Sequence, residues 1–211
     1  RPPRSTLFPY TTLFRSPLTH LLASWIIAAK ATDNPRDCRL VALAGVLPDA
    51  DGAGILIDFA KGMAAGRSEI EFQYYATYHH MLLHGIVGGC ILGVLLTLLA
   101  RNRAKVFWLC LAVFHLHLLF DLLGSRGPEP VDLWPIFYLA PLSHQWMWSW
   151  KSQWPLNAWQ NQVFTWLLLL GAFGLAVRRG DSFVGVFNRW ADGIFVRALR
   201  AGAGKLKYGQ R

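Results

Sequence analysis

Two apolar runs constrain this chain more than anything else in it. Residues 81–100 (MLLHGIVGGCILGVLLTLLA) and 106–123 (VFWLCLAVFHLHLLFDLL) flank the basic link Arg101, Arg103 and Lys105. Each approaches the roughly twenty apolar residues that a helix needs to cross a bilayer. In hydrocarbon every backbone N–H and C=O must be satisfied within the protein, so such runs become helices. A third run, 162–177, is slightly short of a span, and 18–29 and 39–47 are about half of one. The last two fit short tilted helices, re-entrant segments or helices shielded by the others. Only 16% of residues are charged, against about 25% in an ordinary globular chain. The expected fold is an all-α, polytopic membrane helix bundle.

Residues 1–16, RPPRSTLFPYTTLFRS, read as the in-frame translation of a sequencing-adapter oligonucleotide and are set aside from fold reasoning. They carry Arg1, Arg4 and Arg15 and no acid, so the net charge of +9 becomes +6 without them. The expected organisation is a membrane-embedded domain over 17–180 and a basic amphipathic tail over 181–211. In the tail, Phe183, Phe187, Trp190 and Ile194 recur at helical spacing among basic residues, as in a helix lying on a membrane surface. No basic run outside the tail interleaves with aromatics, which argues against nucleic-acid binding. Cys38, Cys90 and Cys110 form no CxxC pair and suit apolar packing.

The lysines and arginines set an orientation. Lys30, Arg36 and Arg39 form one cluster, the 101–105 link a second, and Arg178 and Arg179 a third. Placing all three in the cytoplasm gives a consistent up-and-down path. Segments 49–78 and 125–161 then face the other side. The second of these carries Trp134, Trp146, Trp148, Trp150, Trp154 and Trp159, which suits an interfacial aromatic belt.

On that path the histidines and aspartates fall together. His20 lies near the outer start of the first apolar segment. Asp49 and Asp51 follow the second, and His79, His80 and His84 open the third. His117 and Asp121 lie near the outer end of the fourth. All are on the non-cytoplasmic half, although the orientation came from lysines and arginines alone. Ionisable groups in or beside spans are expensive and are functional or mutually paired. His117 and Asp121 are four apart and share one helix face, as do His80 and His84. His79 and His84 would diverge by about 140° on a regular helix, and converge only if His79 precedes it. Imidazole and carboxylate without thiolate suit zinc, manganese or iron. The bland readings are a packing role for His115, an interfacial one for His144, and an Asp121–Arg126 pair.

The ordered motifs THLL, LPDAD, HHMLLHG, HLLFDLL-SRG and LWP, over about residues 17–135, resemble inner-membrane-associated, metal-dependent hydrolases of the YdjM type. The resemblance implies a ligand set of His20, Asp49, Asp51, His79, His84, His117 and Asp121, and selects His79 over His80. The chain departs from the family pattern at His80, Leu83, Gly85 and Leu116, which stand for an arginine, a threonine and two serines. It thus lacks hydroxyls that would orient ligands.

These features together lead to the expectation of a multi-pass protein of the bacterial inner membrane with a metal site at its non-cytoplasmic face. Its divalent ion, zinc in the first instance, would activate a water, with Asp49 or Asp51 as general base. The expected substrate is a phosphoester or lipid-like molecule at the bilayer surface. The second reading is a non-enzymatic ion carrier or metal sensor. Ligands confined to one half of the bilayer favour the enzyme. No H-E-x-x-H or G-x-S-x-G motif is present.

Overall fold

The computed structural model describes residues 15–67, 73–79, 82–127 and 129–208. Helices α1 (Arg15–Ala31), α2 (Pro35–Ala44), α5 (Ile86–Leu98), α6 (Arg103–Gly124) and α7 (Trp159–Arg179) form the bundle. A 3-10 turn (Leu47–Ala53) leads from α2 into α3 (Gly54–Ala64), which pairs with the short α4 (Gln73–Tyr78). After α6, the loop forms a two-residue antiparallel ribbon of β1 (Ile136–Phe137) and β2 (Met147–Trp148). A second 3-10 turn (Phe183–Val186) and α8 (Arg189–Tyr208) complete the described chain.

Local chemistry sets the boundaries. Asn34 caps α2 by accepting from the backbone N–H of Arg36 and Asp37, and Pro35 occupies the first turn, where no N–H is needed. Asn102 caps α6 through Lys105 N–H. α7 stops at Gly180, whose φ of 89° is the left-handed conformation that glycine adopts without strain.

α1 packs against α2, α6 and α7, and α2 also lies on α6. Leu22, Trp25 and Ala28 of α1 are buried with Val41, Ala42, Val113, Ala172 and Ala176. Small residues on α2 and α7 let the helix backbones approach closely, as membrane helices require. Gly89 serves the same end: a Cβ there would lie 2.5 Å from the Phe114 ring. The outside is as apolar as the inside. Val163, Phe164, Trp166, Leu167 and Leu170 of α7 are exposed, as are Trp108 and Leu119 of α6 and Ile91, Val94, Leu95 and Leu98 of α5. Apolar surface on this scale suits contact with lipid.

Among the described residues two helices, α6 and α7, are long and apolar enough to cross a membrane. A third candidate is the broken pair of α2 with the 3-10 turn and α3, bent by 48°. The span expected over 81–100 is therefore corrected: its helix covers only Ile86–Leu98. Residues 82–85 bend away because His84 turns into the interior and Ile86 N–H donates to Tyr138 O at 2.7 Å. The run expected over 162–177 lies in a longer helix than anticipated, and the segment 18–29 lies in the 17-residue α1, short of a span.

The tail is helical as expected, but it is also docked. Phe183 and Phe195 pack on Phe173, and Asp192 accepts from Ser182 N–H at 2.9 Å. The three basic turns meet at one end of the bundle. Asp37 accepts from the backbone N–H of Arg101 (2.8 Å) and Asn102 (3.0 Å), and the Arg179 guanidinium reaches the Ala29 carbonyl and Asp33.

Candidate metal centre

At the opposite end, about fourteen residues or roughly 21 Å along α6 from Arg103, the histidines and aspartates converge. α1 supplies His20, the 3-10 turn Asp49 and Asp51, and the bend before α5 His84. α6 supplies His117 and Asp121. His79 follows directly on α4. His79 lies in a turn and residues 82–85 in bends, so neither His79 nor His84 sits on a helix and the angular argument against their pairing does not apply. His80 lies outside the described residues.

Hydrogen bonding fixes the imidazoles. His117 Nδ1–H donates to Gly45 O at 2.8 Å, and His84 Nδ1–H donates to Asp51 Oδ2 at 3.0 Å. A carbonyl or carboxylate oxygen only accepts, so each ring carries its proton on Nδ1 when neutral and turns the Nε2 lone pair inward. The two Nε2 atoms lie 3.1 Å apart. Asp121 Oδ2 is 3.1 Å from His117 Nε2 and 3.5 Å from His84 Nε2. Asp49 Oδ1 is 3.7 Å and 3.8 Å from the same two nitrogens. His20 stacks on His117 with centroids 3.7 Å apart, and its Nε2 is 3.2 Å from Asp121 Oδ1.

Electron-rich atoms therefore face one another in a buried space. His84 and His117 are 0% and 1% exposed, and Asp121 is 2% exposed. Asp49 Oδ2 is buried and has no hydrogen-bond donor among the described residues. Lone pairs and carboxylates at such distances repel unless a cation lies between them, and burial in low dielectric amplifies the repulsion. The donor set fits a divalent metal ion. Among the described residues three groupings have ligand atoms all within 4.8 Å of one another: His20, Asp49 and His117; Asp49, His79 and His84; and His84, His117 and Asp121.

Asp51 holds a different place from the other expected ligands. It belongs to none of these groupings. Its oxygens accept from His79 Nδ1–H at 2.8 Å, His84 Nδ1–H and Leu83 N–H at 3.1 Å. It orients the imidazoles from behind, as outer carboxylates do around bound metals.

The bland readings also resolve. His115 is exposed, donates from Nδ1 to Leu111 O at 2.7 Å, and accepts from the Tyr138 hydroxyl at 3.0 Å. Burial pushes the Tyr138 phenol up from its ordinary value, so it stays a donor. His144 is exposed and packs edge-on against Phe137. Asp121 does not pair with Arg126, whose Nε–H donates to Gln153 O.

Several contributors escaped sequence reasoning. Gly45 lends its carbonyl to His117, and a Cβ there would lie 1.7 Å from Ser24 Oγ, so only glycine lets α1 come this close. Tyr75 and Trp134 wall His79 at 4.6 Å and 5.5 Å between centroids. Ser125 Oγ donates to Asp121 Oδ1 at 3.1 Å. Ser125, four residues beyond Asp121, carried a sequence signal in the spacing of one helical turn, and Trp134 one in the LWP motif, though neither placed it at the site.

No curated protein and no solved structure matches the chain. A family model described as YdjM inner membrane protein matches residues 16–198, and the chain belongs to that family.

Proposed function

We propose that this protein is a multi-pass enzyme of the bacterial inner membrane that hydrolyses a phosphoester or lipid-like ester with a divalent metal ion, zinc in the first instance. The observation that carries the reading is the inward convergence of His84 Nε2, His117 Nε2, Asp121 and Asp49, with each imidazole locked by its other nitrogen. His84, His117, Asp121 and Asp49 would hold the ion, with His20 and His79 at the margins. A divalent ion bound there supplies a Lewis acid and a water acidified toward neutrality.

The residues divide the remaining work. Asp51 and the Gly45 carbonyl keep both Nε2 atoms aimed inward. Asp49 is the favoured proton acceptor. Its side chain is 15% exposed, and its Oδ2 is not engaged by a donor among the described residues, whereas both oxygens of Asp51 are occupied. Tyr75 and Trp134 shield the His79 side from water. The three basic turns at the far end support a non-cytoplasmic site by the positive-inside rule.

The test is elemental analysis of the purified chain followed by a panel of phosphoesters and acyl esters. Stoichiometric zinc, manganese or iron with cleavage of one ester class is the expected result. A metal-loaded chain that cleaves none of them would leave a carrier or sensor as the better reading.

A further inference from the structure

The apolar stripe that marks the tail in the sequence is divided by the fold. Phe183 packs inward, its ring centroid 6.3 Å from that of Trp25 and 6.4 Å from that of Phe173. Phe187, Trp190 and Ile194 stay exposed. A different face of α8 meets the bundle. Asp192 accepts from the Ser182 N–H and hydroxyl, Phe195 packs on Phe173 and Phe183, and Val196 and Leu199 pack inward beside them. At 100° per residue, Trp190, Ile194 and Arg197 fall within about 60° of one another, on the side of α8 opposite those docked residues. The docking thus fixes which face is left over, and Trp190 on that face is 77% exposed.

The level at which α8 is held bears on what covers this face. The 21 residues of α7 span roughly 31 Å at 1.5 Å each, about the thickness of a hydrocarbon core. Its last residue, Arg179, then lies at the boundary, and Phe173 lies about 9 Å inside it. Phe195 reaches Phe173 with ring centroids 5.7 Å apart. α8 is therefore held beside the last two turns of α7 rather than out in the aqueous phase. Aromatic rings turned outward at this level meet the boundary between head groups and acyl chains, where they are favoured.

Charge at the same end selects the lipid. Arg178, Arg189 and Arg197 are exposed and have no ion-pair partner among the described residues. The acids near them are occupied. Asp33 and Asp181 pair with Arg179, Asp37 accepts from two backbone N–H groups, and Asp192 accepts from Ser182. Unopposed guanidinium groups beside exposed apolar rings match a bilayer surface of anionic phosphates, which draws each such cation. A second copy of this basic end would repel them instead.

We infer that the outward face of α8 binds the anionic phospholipids of the leaflet at the basic end, with Phe187, Trp190 and Ile194 as its apolar part and Arg189 and Arg197 as its charges. This surface is separate from the metal centre, and it stands whether or not that centre hydrolyses an ester.

The test uses the full chain with W190C and C90A, labelled at position 190 with a bimane fluorophore. Cys38 and Cys110 are buried, out of reach of the reagent. The labelled chain is placed in phosphatidylcholine vesicles that contain a lipid brominated along its acyl chain. Brominated phosphatidylcholine should quench the fluorophore, and aqueous iodide should not. Brominated phosphatidylglycerol at equal mole fraction should quench about fivefold more efficiently, the weight of one arginine at an anionic surface. R189Q with R197Q should bring the two lipids level while quenching by the neutral one persists. I194C carries the label should W190C fail to insert. A fluorophore quenched by iodide and not by brominated lipid overturns the site. So does one shielded from both, which would put a second copy on this face. Equal quenching by the two lipids in the parent chain overturns the anionic assignment, and a preference that survives R189Q with R197Q overturns this face as its source.

Discussion

The two ends of the bundle each bury an aspartate, and the partners of the two differ in kind. At the basic end Asp37, 1% exposed, accepts from two backbone N–H groups of the α5–α6 link. At the other end Asp121, 2% exposed, faces the imidazoles of His20, His84 and His117. Backbone amides cannot leave or titrate, so Asp37 works as a clasp between α2 and the turn ahead of α6. Imidazole lone pairs have a choice of proton or metal, so Asp121 sits in a place built to receive a cation. Asp58, which accepts from Tyr74 and Tyr75 N–H at 2.9 Å each, belongs with Asp37. Asp51, with one backbone donor and two imidazoles, lies between the types. Burial alone does not distinguish a functional carboxylate from a structural one; the identity of its partners does.

The sharpest way to break that comparison is Asp121→Asn. It removes a charge and a donor atom from the centre, and bound metal measured by elemental analysis should fall at least a hundredfold while the protein still inserts. Retention of full metal would place Asp121 with the clasps. Asp51→Asn should cost about 10–100-fold in metal affinity, the usual effect of removing an orienting carboxylate, as read from competition with a chelator. Asp37→Ala should leave metal content unchanged. It should lower stability by about 1–3 kcal/mol, because two hydrogen bonds from backbone N–H groups to a buried carboxylate are lost, and thermal unfolding in detergent checks this. The smallest effect belongs to His115→Gln, on an exposed face, where a change within about 0.5 kcal/mol and unaltered metal are expected.

The legible part of the fold and site was what local spacing or composition controls. His117 and Asp121 are four apart on a continuous helix, so their shared face followed from helix geometry. The apolar length of α6 and the basic turns were equally plain. What escaped depends on approach between distant segments. The Gly45 carbonyl meets His117 across 72 residues, and the Thr19–Thr165 contact spans 146. The α5 helix is shorter than its apolar run because His84 has a better partner in Asp51 than in a continued helix, a preference that hydropathy does not register. The converse held for His79, where helix geometry argued against a residue that lies on no helix.

That shortened helix bears on the membrane itself. At 1.5 Å per residue the thirteen residues of α5 span roughly 20 Å, against a hydrocarbon core of about 30 Å. Placed in a bilayer, a helix this short, with Ile91, Val94, Leu95 and Leu98 turned outward, would draw the surrounding lipid thinner beside it. Each ångström of hydrophobic mismatch costs a fraction of a kcal/mol, so the chain should be most stable in short-chain lipid. Such a dimple would bring the head-group layer closer to His84, just ahead of α5, and so to the buried centre.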